Sequence, residues 1–400
     1  MATILELPAA YPIDGTEPLP IWQGGATCKT SAAALAAYVQ GTLTPPAAPS
    51  IVTLECPSDQ YPNLTSALMA ARSASVAPGG TVQVRLAEGE HALPYGQYLA
   101  DLGGRISLLG AAPTYRVVSG VGHVAKNGEN DFVGYLDLDT ASGGDTTGIA
   151  PGALVSLSGP YFGSTDASRA YWYGCHEVVE VMSPSRLHVR LRSRYNGATL
   201  SAFTDLWWSM EAHRTVIRCA NDGLSVANGS LSLQDVALVG DPALGWPVNC
   251  LVAERGGTIS LSGVGLRGFT GTGLCVDGGF ATGTVHISSF GADGARVTRS
   301  GVALNLTIHS VGNAGRGLLV DEGGVAYVSG TACYNGGYGA VYSRGSRLHL
   351  GPLQVNGNAG GSLYGSAAQA FGDSTSYVGS AAASPAANTI GNNNAYFYRA

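Results

Sequence analysis

The chain has 400 residues, of which 58 are Gly, 45% are hydrophobic and 12% are charged. Ordinary usage is about 7% Gly and about 25% charged. A small net charge of −6 with ample apolar content excludes a disordered chain, and the mild acidity argues against nucleic acid or an anionic membrane as a main partner.

Collagen would need Gly at every third position, and a coiled coil would need Leu, Glu and Lys heptads; neither pattern is present. Abundant Gly beside Val, Leu, Ser and Thr points instead to an all-β chain with many tight turns. The first twenty residues have neither a basic stretch nor an apolar one, so no secretory signal is expected. No run reaches the roughly 18–20 apolar residues that cross a bilayer, so no membrane insertion is expected. Seven Cys without a CxxC pair argue against a disulfide framework or a zinc site and for free thiols in a reducing cytosol.

Residues 1–42 form a leading module. Leu19–Gln23 reads as an extended run closed by Gly24-Gly25, and Thr30-Ser31 can cap a short helix over Ala32–Val39. Residues 43–50 are a Pro-rich linker. Residues 51–118 look like the start of a β domain, with a helix over Leu64–Ser73 capped by Asn63. Strands are expected at Thr81–Leu86 and Ile106–Gly110. Residues 119–212 differ in texture and read as an inserted β module, with strands at Leu154–Ser158, Glu177–Met182 and Leu187–Arg192.

Residues 213–372 carry an internal repeat. The segments beginning Gly223-Leu, Leu251-Val, Gly273-Leu, Gly301-Val, Gly317-Leu and Gly339-Ala each run apolar and then turn. Most are followed by a second alternating strand, such as Val325-Ala-Tyr327 or Leu348-His-Leu350. A repeat of twenty-odd residues with short strands is one rung of a parallel β-helix, in which no rung can bury its apolar face alone. Asn313, Asn335 and Asn358 recur before the anchors Leu318, Ala340 and Leu363, as expected for a structural ladder of stacked amides. Residues 373–400 read as a cap or tail over the open end.

The run Gly15-Thr-Glu-Pro-Leu-Pro-Ile-Trp-Gln-Gly-Gly-Ala-Thr-Cys-Lys-Thr-Ser31 resembles a short module near the N-terminus of many bacteriophage tail and fibre proteins. Cys28 departs from the usual Val or Arg there. The capped helix, Gly79-Gly-Thr-Val-Gln-Val84 and Leu86-Ala-Glu-Gly89-Glu-His resemble the opening of pectate-lyase-like β-helices in phage tailspikes. The resemblance implies a right-handed parallel β-helix (an all-β solenoid) with a small N-terminal attachment module and an inserted β module. It implies a homotrimer, made in the bacterial cytoplasm and carried on the virion. Residues 1–42 would meet other tail, baseplate or head proteins, and the solenoid would meet host surface polysaccharide. Two alternatives stay open: a depolymerase of the same architecture, and an adaptor joining the particle to another fibre. The fold does not choose among them.

Glycan hydrolysis needs two carboxylates facing one groove. Aligning the repeats places Ala227, Arg255, Asp277, Asn305, Asp321 and Ser343 at one turn. Stacked rungs would put Asp277 and Asp321 on the order of 10 Å apart, with Glu322 beside them, a spacing open to an inverting pair. Asp and Asn also favour turns for purely structural reasons. Carboxylates are sparse in the repeat, which favours binding over cutting. Asp293, Arg296 and Arg299 read as a solvated loop. The histidines have no metal-ligand spacing, and no metal or cofactor is expected; His286 and His349 fall in similar strand positions and read as outward-facing or satisfied by neighbours. For glycan contact, the candidates are Tyr171, Trp172, Tyr173, Trp207 and Trp208 of the insert and Trp246 of a loop, since rigid aromatics bind sugars at low entropic cost.

Overall fold

A computed structural model of the chain describes residues 18–23, 26–31, 49–100, 105–126, 131–159, 172–192, 202–241, 248–288, 290–355 and 358–372. It also describes the short strands Ala383–Ser384, Thr389–Ile390 and Tyr396–Arg399. The chain divides into two compact units, Met1–Ser50 and Ile51–Ala400. In the first, Pro18–Gln23 and Ala26–Ser31 pair as an antiparallel hairpin. Thr30 and Ser31 therefore end a strand, and the helix expected over Ala32–Val39 lies outside the described residues.

The second unit is a parallel β-solenoid. Eleven strands from Ile51–Cys56 to Tyr396–Arg399 stack in parallel along one face. A second face stacks Gln97–Ala100, Leu224–Ala227, Leu251–Glu254, Leu274–Asp277, Ala295–Thr298, Leu318–Val320 and Tyr338–Ser343. Alternation explains the burial. On the eleven-strand face, Ile259, Ala281, Ala303, Ala326, Leu348 and Ala370 form one inward column, in register from rung to rung. Their immediate neighbours point outward. At the next corner the backbone must turn sharply. Gly283 and Gly330 adopt φ of +108° and +112°, and a Cβ there would stand 1.9 Å from the carbonyl oxygen of the rung below. No other residue fits.

The opening rungs follow the local signals. Asn63 Oδ1 accepts from the Ser66 amide at 2.9 Å, and the helix Leu64–Ser73 buries Leu64, Ala67, Leu68 and Ala71 over the first rungs. The strands Thr81–Leu86 and Arg105–Leu109 stand where alternation places them.

The repeat is as expected, with one correction. Leu251, Leu274, Leu318, Ala340 and Leu363 share a column, but their partner in the intervening rung is Ala295, not Val302. Val302–Val311 belongs to the neighbouring face. Ala295-Arg-Val-Thr298 escapes an apolar pattern search because Arg296 occupies an outward position. Asp293, expected in a solvated loop, is buried, and accepts from Arg316 Nε at 2.8 Å and Nη2 at 2.9 Å.

The asparagine ladder forms as expected. Asn313 Nδ2 donates to Asn335 Oδ1 at 2.9 Å, and Asn335 Nδ2 donates to Asn358 Oδ1 at 3.0 Å. The same oxygens accept from the backbone amides of Asn313 and Asn335. All three side chains are buried, so the ladder satisfies groups that water cannot reach.

The insert is a closed antiparallel barrel of six strands running from Thr114 to His213. It leaves the solenoid after the strand Arg105–Leu109 and returns at Thr215–Cys219, which pairs in parallel with Gly89–Leu93. Thr215, fully buried, closes the junction: its hydroxyl accepts from the Ala111 amide at 2.9 Å and donates to the Ala87 carbonyl at 3.2 Å.

Replacing Asn335 by Ala strands buried donors and acceptors on both neighbouring rungs. The expected cost is about 2–4 kcal/mol, read as a lower denaturant midpoint. Gly330→Ala is expected to lower the yield of folded protein, because both the φ and the carbonyl contact forbid a side chain.

Candidate functional site

The predicted carboxylates lie at one corner of the solenoid, but their chemistry is that of a lock. The register aligns Ala227, Glu254, Asp277, Thr298 and, one residue past Val320, Asp321 beside Ser343. Arg255 is the next residue along, and Asn305 lies on another face. Asp321 is buried and accepts from Arg344 Nε at 2.7 Å, from Arg344 Nη2, from Ser343 Oγ at 2.8 Å and from the Glu322 amide at 2.9 Å. Glu322 accepts from Thr298 Oγ1 at 3.1 Å and lies 3.1 Å from Arg344 Nη1. Asp277 lies 3.2 Å from Arg299 Nε, which also stands 3.9 Å from Glu322.

The Arg344 bonds hold the Asp321 carboxyl down at about 2. A general acid must carry a proton at working pH, and Asp321 does not. The network ties successive turns together instead. Those turns need help, because Arg255, Arg299, Glu322 and Arg344 all sit at φ of +46° to +48°.

The predicted sugar-binding aromatics divide in two. Tyr171, Trp246 and the side chain of Trp207 lie outside the described residues. Trp172, Tyr173 and Trp208 are buried in the barrel core. Tyr173 stacks on Trp208 at 5.3 Å and on His309 of the solenoid at 5.3 Å. These three rings hold the barrel together and present no face to a ligand, which corrects the expectation. A small barrel needs bulky side chains to fill it.

An outward aromatic row that sequence reasoning missed lies on the eleven-strand face. One outward column reads Gln83, Ser107, Ser232, Ser260 and Thr282 over five rungs. It resumes as Tyr327, His349 and Phe371. Tyr327 and His349 stack at 3.9 Å, and His349 and Phe371 at 4.8 Å. Tyr327 is 44% exposed. Between the two parts of the column, Leu304 and Asn305 stand opposite the single residue Tyr327, a bulge with Asn305 at φ of +50°.

This row borders a groove of about 510 Å3, walled by Asn305, Leu306, Ser329, Leu350 and Gly351. The volume lies in the range of small-molecule sites. Stacking covers both faces of His349 and one face each of Tyr327 and Phe371, so the row offers mainly ring edges. Edges carry the positive side of the aromatic quadrupole and attract hydroxyl oxygens. Among the described residues, no carboxylate or Lys borders the groove. The signal was present in the repeat: an aromatic or imidazole ring at the same outward position of consecutive rungs. His349 thus aligns with Tyr327, whereas His286 aligns with His309, past the Gly283 corner of the same strands.

Arg344→Gln is expected to raise the Asp321 pKa from about 2 toward the ordinary 3.8. A depressed carboxyl stabilises the fold above its unfolded value, and that stability is lost as pH falls through the folded value. In wild type the loss spans about pH 4 to 2. The variant should be less stable at neutral pH, and a carboxyl-carbon NMR titration should find its Asp321 midpoint higher. Trp208→Ala is expected to cost about 3–5 kcal/mol through a core cavity, read by thermal melting.

No family description and no curated protein match the sequence. Among solved structures, the chain is similar to the Gp54 tailspike of Acinetobacter baumannii bacteriophage AP22, described in complex with a capsular saccharide of that bacterium. Identity is 10% and the TM-score 0.23, over 79% of this chain. This chain spans 63% of the length of that tailspike chain.

Proposed function

We propose that this chain is a spike or fibre protein of a phage or phage-like particle that attaches to a bacterial surface polysaccharide. Residues 1–42 form the particle end, where other tail, baseplate or head proteins attach, and the solenoid makes the glycan contact. The observation that carries the reading is the groove beside Tyr327, His349 and Phe371. A rigid row of rings, lengthened one rung at a time, suits an extended, repeating ligand, and it is ordered before the ligand arrives. The residue pattern of the N-terminal module supports the particle end. A homotrimer follows from that resemblance.

Adhesion has more support than cleavage. Asp277, Asp321 and Glu322 are neutralised by arginines, and Asp321 stays ionised. A hydrolase would need a protonated acid beside the sugar.

The test incubates purified protein with capsule or lipopolysaccharide from a host panel and follows both retention and new reducing ends. Retention without new ends is expected. Tyr327→Ala should weaken retention at least tenfold, while Tyr95→Ala, an exposed tyrosine outside the groove, should not. Retention that survives both Tyr327→Ala and Phe371→Ala would remove the groove from the reading. New ends that vanish in Asp277→Asn or Asp321→Asn would make the protein a depolymerase.

A further inference from the structure

The barrel meets the solenoid across a polar seam. The barrel strand Gly174–Ser183 lies against Thr258–Arg267, Phe280–Ser288 and Val302–Val311, and Leu154–Ser158 lies against the first of these. The approach is close. A Cβ on Gly265 would come within 2.8 Å of Cys175 Sγ and 2.9 Å of His213 Nε2.

Four buried histidines stand in this seam: His176 and His213 from the barrel, His286 and His309 from the solenoid. His286 and His309 stack at 4.7 Å. His213 shares a hydrogen bond of 2.7 Å with Ser156, and His176 Nε2 bonds the Trp172 carbonyl at 2.8 Å. His309 Nδ1 bonds Thr331 Oγ1 at 3.2 Å. The Nδ1 atoms of His176, His213 and His286 are buried with no partner among the described residues.

The charges around them offer no relief. Arg267 is buried; its Nη1 donates to the Cys175 carbonyl at 3.0 Å, and its Nη2 lies 3.7 Å from Glu177. Glu177 also lies 3.3 Å from Arg190, so its charge is already committed to two arginines. On the adjoining solenoid strand, Arg218 donates to Glu90 at 2.6 Å and lies 3.9 Å from Asp241. Burial and then Asp235 raise the Glu211 carboxyl, which therefore loses its charge early on acidification. The Cys175 thiol is pushed up to about 11 and stays neutral. Burial holds His176 down to about 3 and both His213 and His309 to about 4, with His286 well below the ordinary value.

The apolar hold across the seam is small beside the two cores it joins. Leu154 and Cys175 of the barrel meet Val216 and Ala237 of the solenoid, and Val311, Cys333 and Tyr334 adjoin the barrel core. The barrel closes on its own hydrogen bonds, and the solenoid on its own stacking.

We propose that this seam is an acid-released latch, which frees the barrel from the solenoid flank while each part keeps its fold. An imidazolium formed in the closed seam is buried, with no carboxylate bonded to it among the described residues; in the open seam it is hydrated. The open state therefore binds protons more readily than the closed one. Closure is complete above about pH 6.5 and weakens as pH falls toward about 4.

The test follows the full chain by small-angle scattering and far-UV circular dichroism from pH 8 to pH 4. A reversible rise in radius of gyration, with unchanged β signal and a midpoint between pH 6.5 and 4, is expected. An unchanged radius down to pH 4, or loss of the β signal at the same midpoint, would overturn the proposal. Replacing His286 and His309 together by Phe keeps the ring stack but removes two protonation sites. Its midpoint should move down by about half a pH unit or more, and an unmoved midpoint would also overturn the latch. Should that variant not fold, carbon-13 NMR of the wild-type imidazoles decides. Joint titration of the four at the scattering midpoint supports the latch, and separate titrations of a closed barrel refute it. Gly265→Leu should hold the seam open at pH 7.5 with the same enlarged radius.

Discussion

Stacking of one rung on the next, in register and in parallel, is the constraint on which everything else depends. A rung of twenty-odd residues has no core of its own. It becomes stable only when its inward residues meet those above and below, and when its backbone groups find partners on both sides. The columns Leu274, Ala295, Leu318 and Ala340 on one face and Ile259, Ala281, Ala303 and Ala326 on another show how strictly the register is kept. Small and aliphatic residues share the inward columns because the interior is narrow. The amides of Asn313, Asn335 and Asn358 perform the same service at a turn where no strand can.

Repetition also decides what the surface can be. A residue type that the repeat keeps at one outward position becomes a row, because the next rung lies about 4.8 Å away. Charged residues at a corner become the alternating network of Asp277, Arg299, Glu322, Arg344 and Asp321. Rings at a flat position become the stack of Tyr327, His349 and Phe371. The same rule builds a structural lock in one column and a groove in another. The difference lies in partners: the carboxylates are paired with guanidinium groups, whereas the rings leave their edges to the groove.

The barrel obeys a different rule. It closes on itself, so its large aromatics turn inward, and its link to the solenoid rests on a polar and imidazole-rich seam. Insertion costs the solenoid little, since Thr215 bonds both Ala87 and Ala111 and carries the rung across the gap. One chain thus holds two architectures whose cores are largely separate.

The residues alone determined the all-β solenoid, the capped helix, the Asn ladder and the presence of a distinct insert. Each rests on local chemistry or on a repeat visible along the chain. The three-dimensional fold decided which face each aromatic takes. Trp172, Tyr173 and Trp208 look like binding residues in a sequence, because an aromatic cluster reads the same whether it fills a barrel or faces water. Tyr327, His349 and Phe371 are far apart in the chain and become neighbours only through rung stacking. The same holds for the carboxylates: Asp321 is a candidate acid until Arg344, one rung on, is seen to hold its charge. Composition and periodicity carry the fold because folding here is local and repeated. The site depends on contacts between rungs, and a change of register within one rung, such as Ala295 for Val302, changes which residues meet.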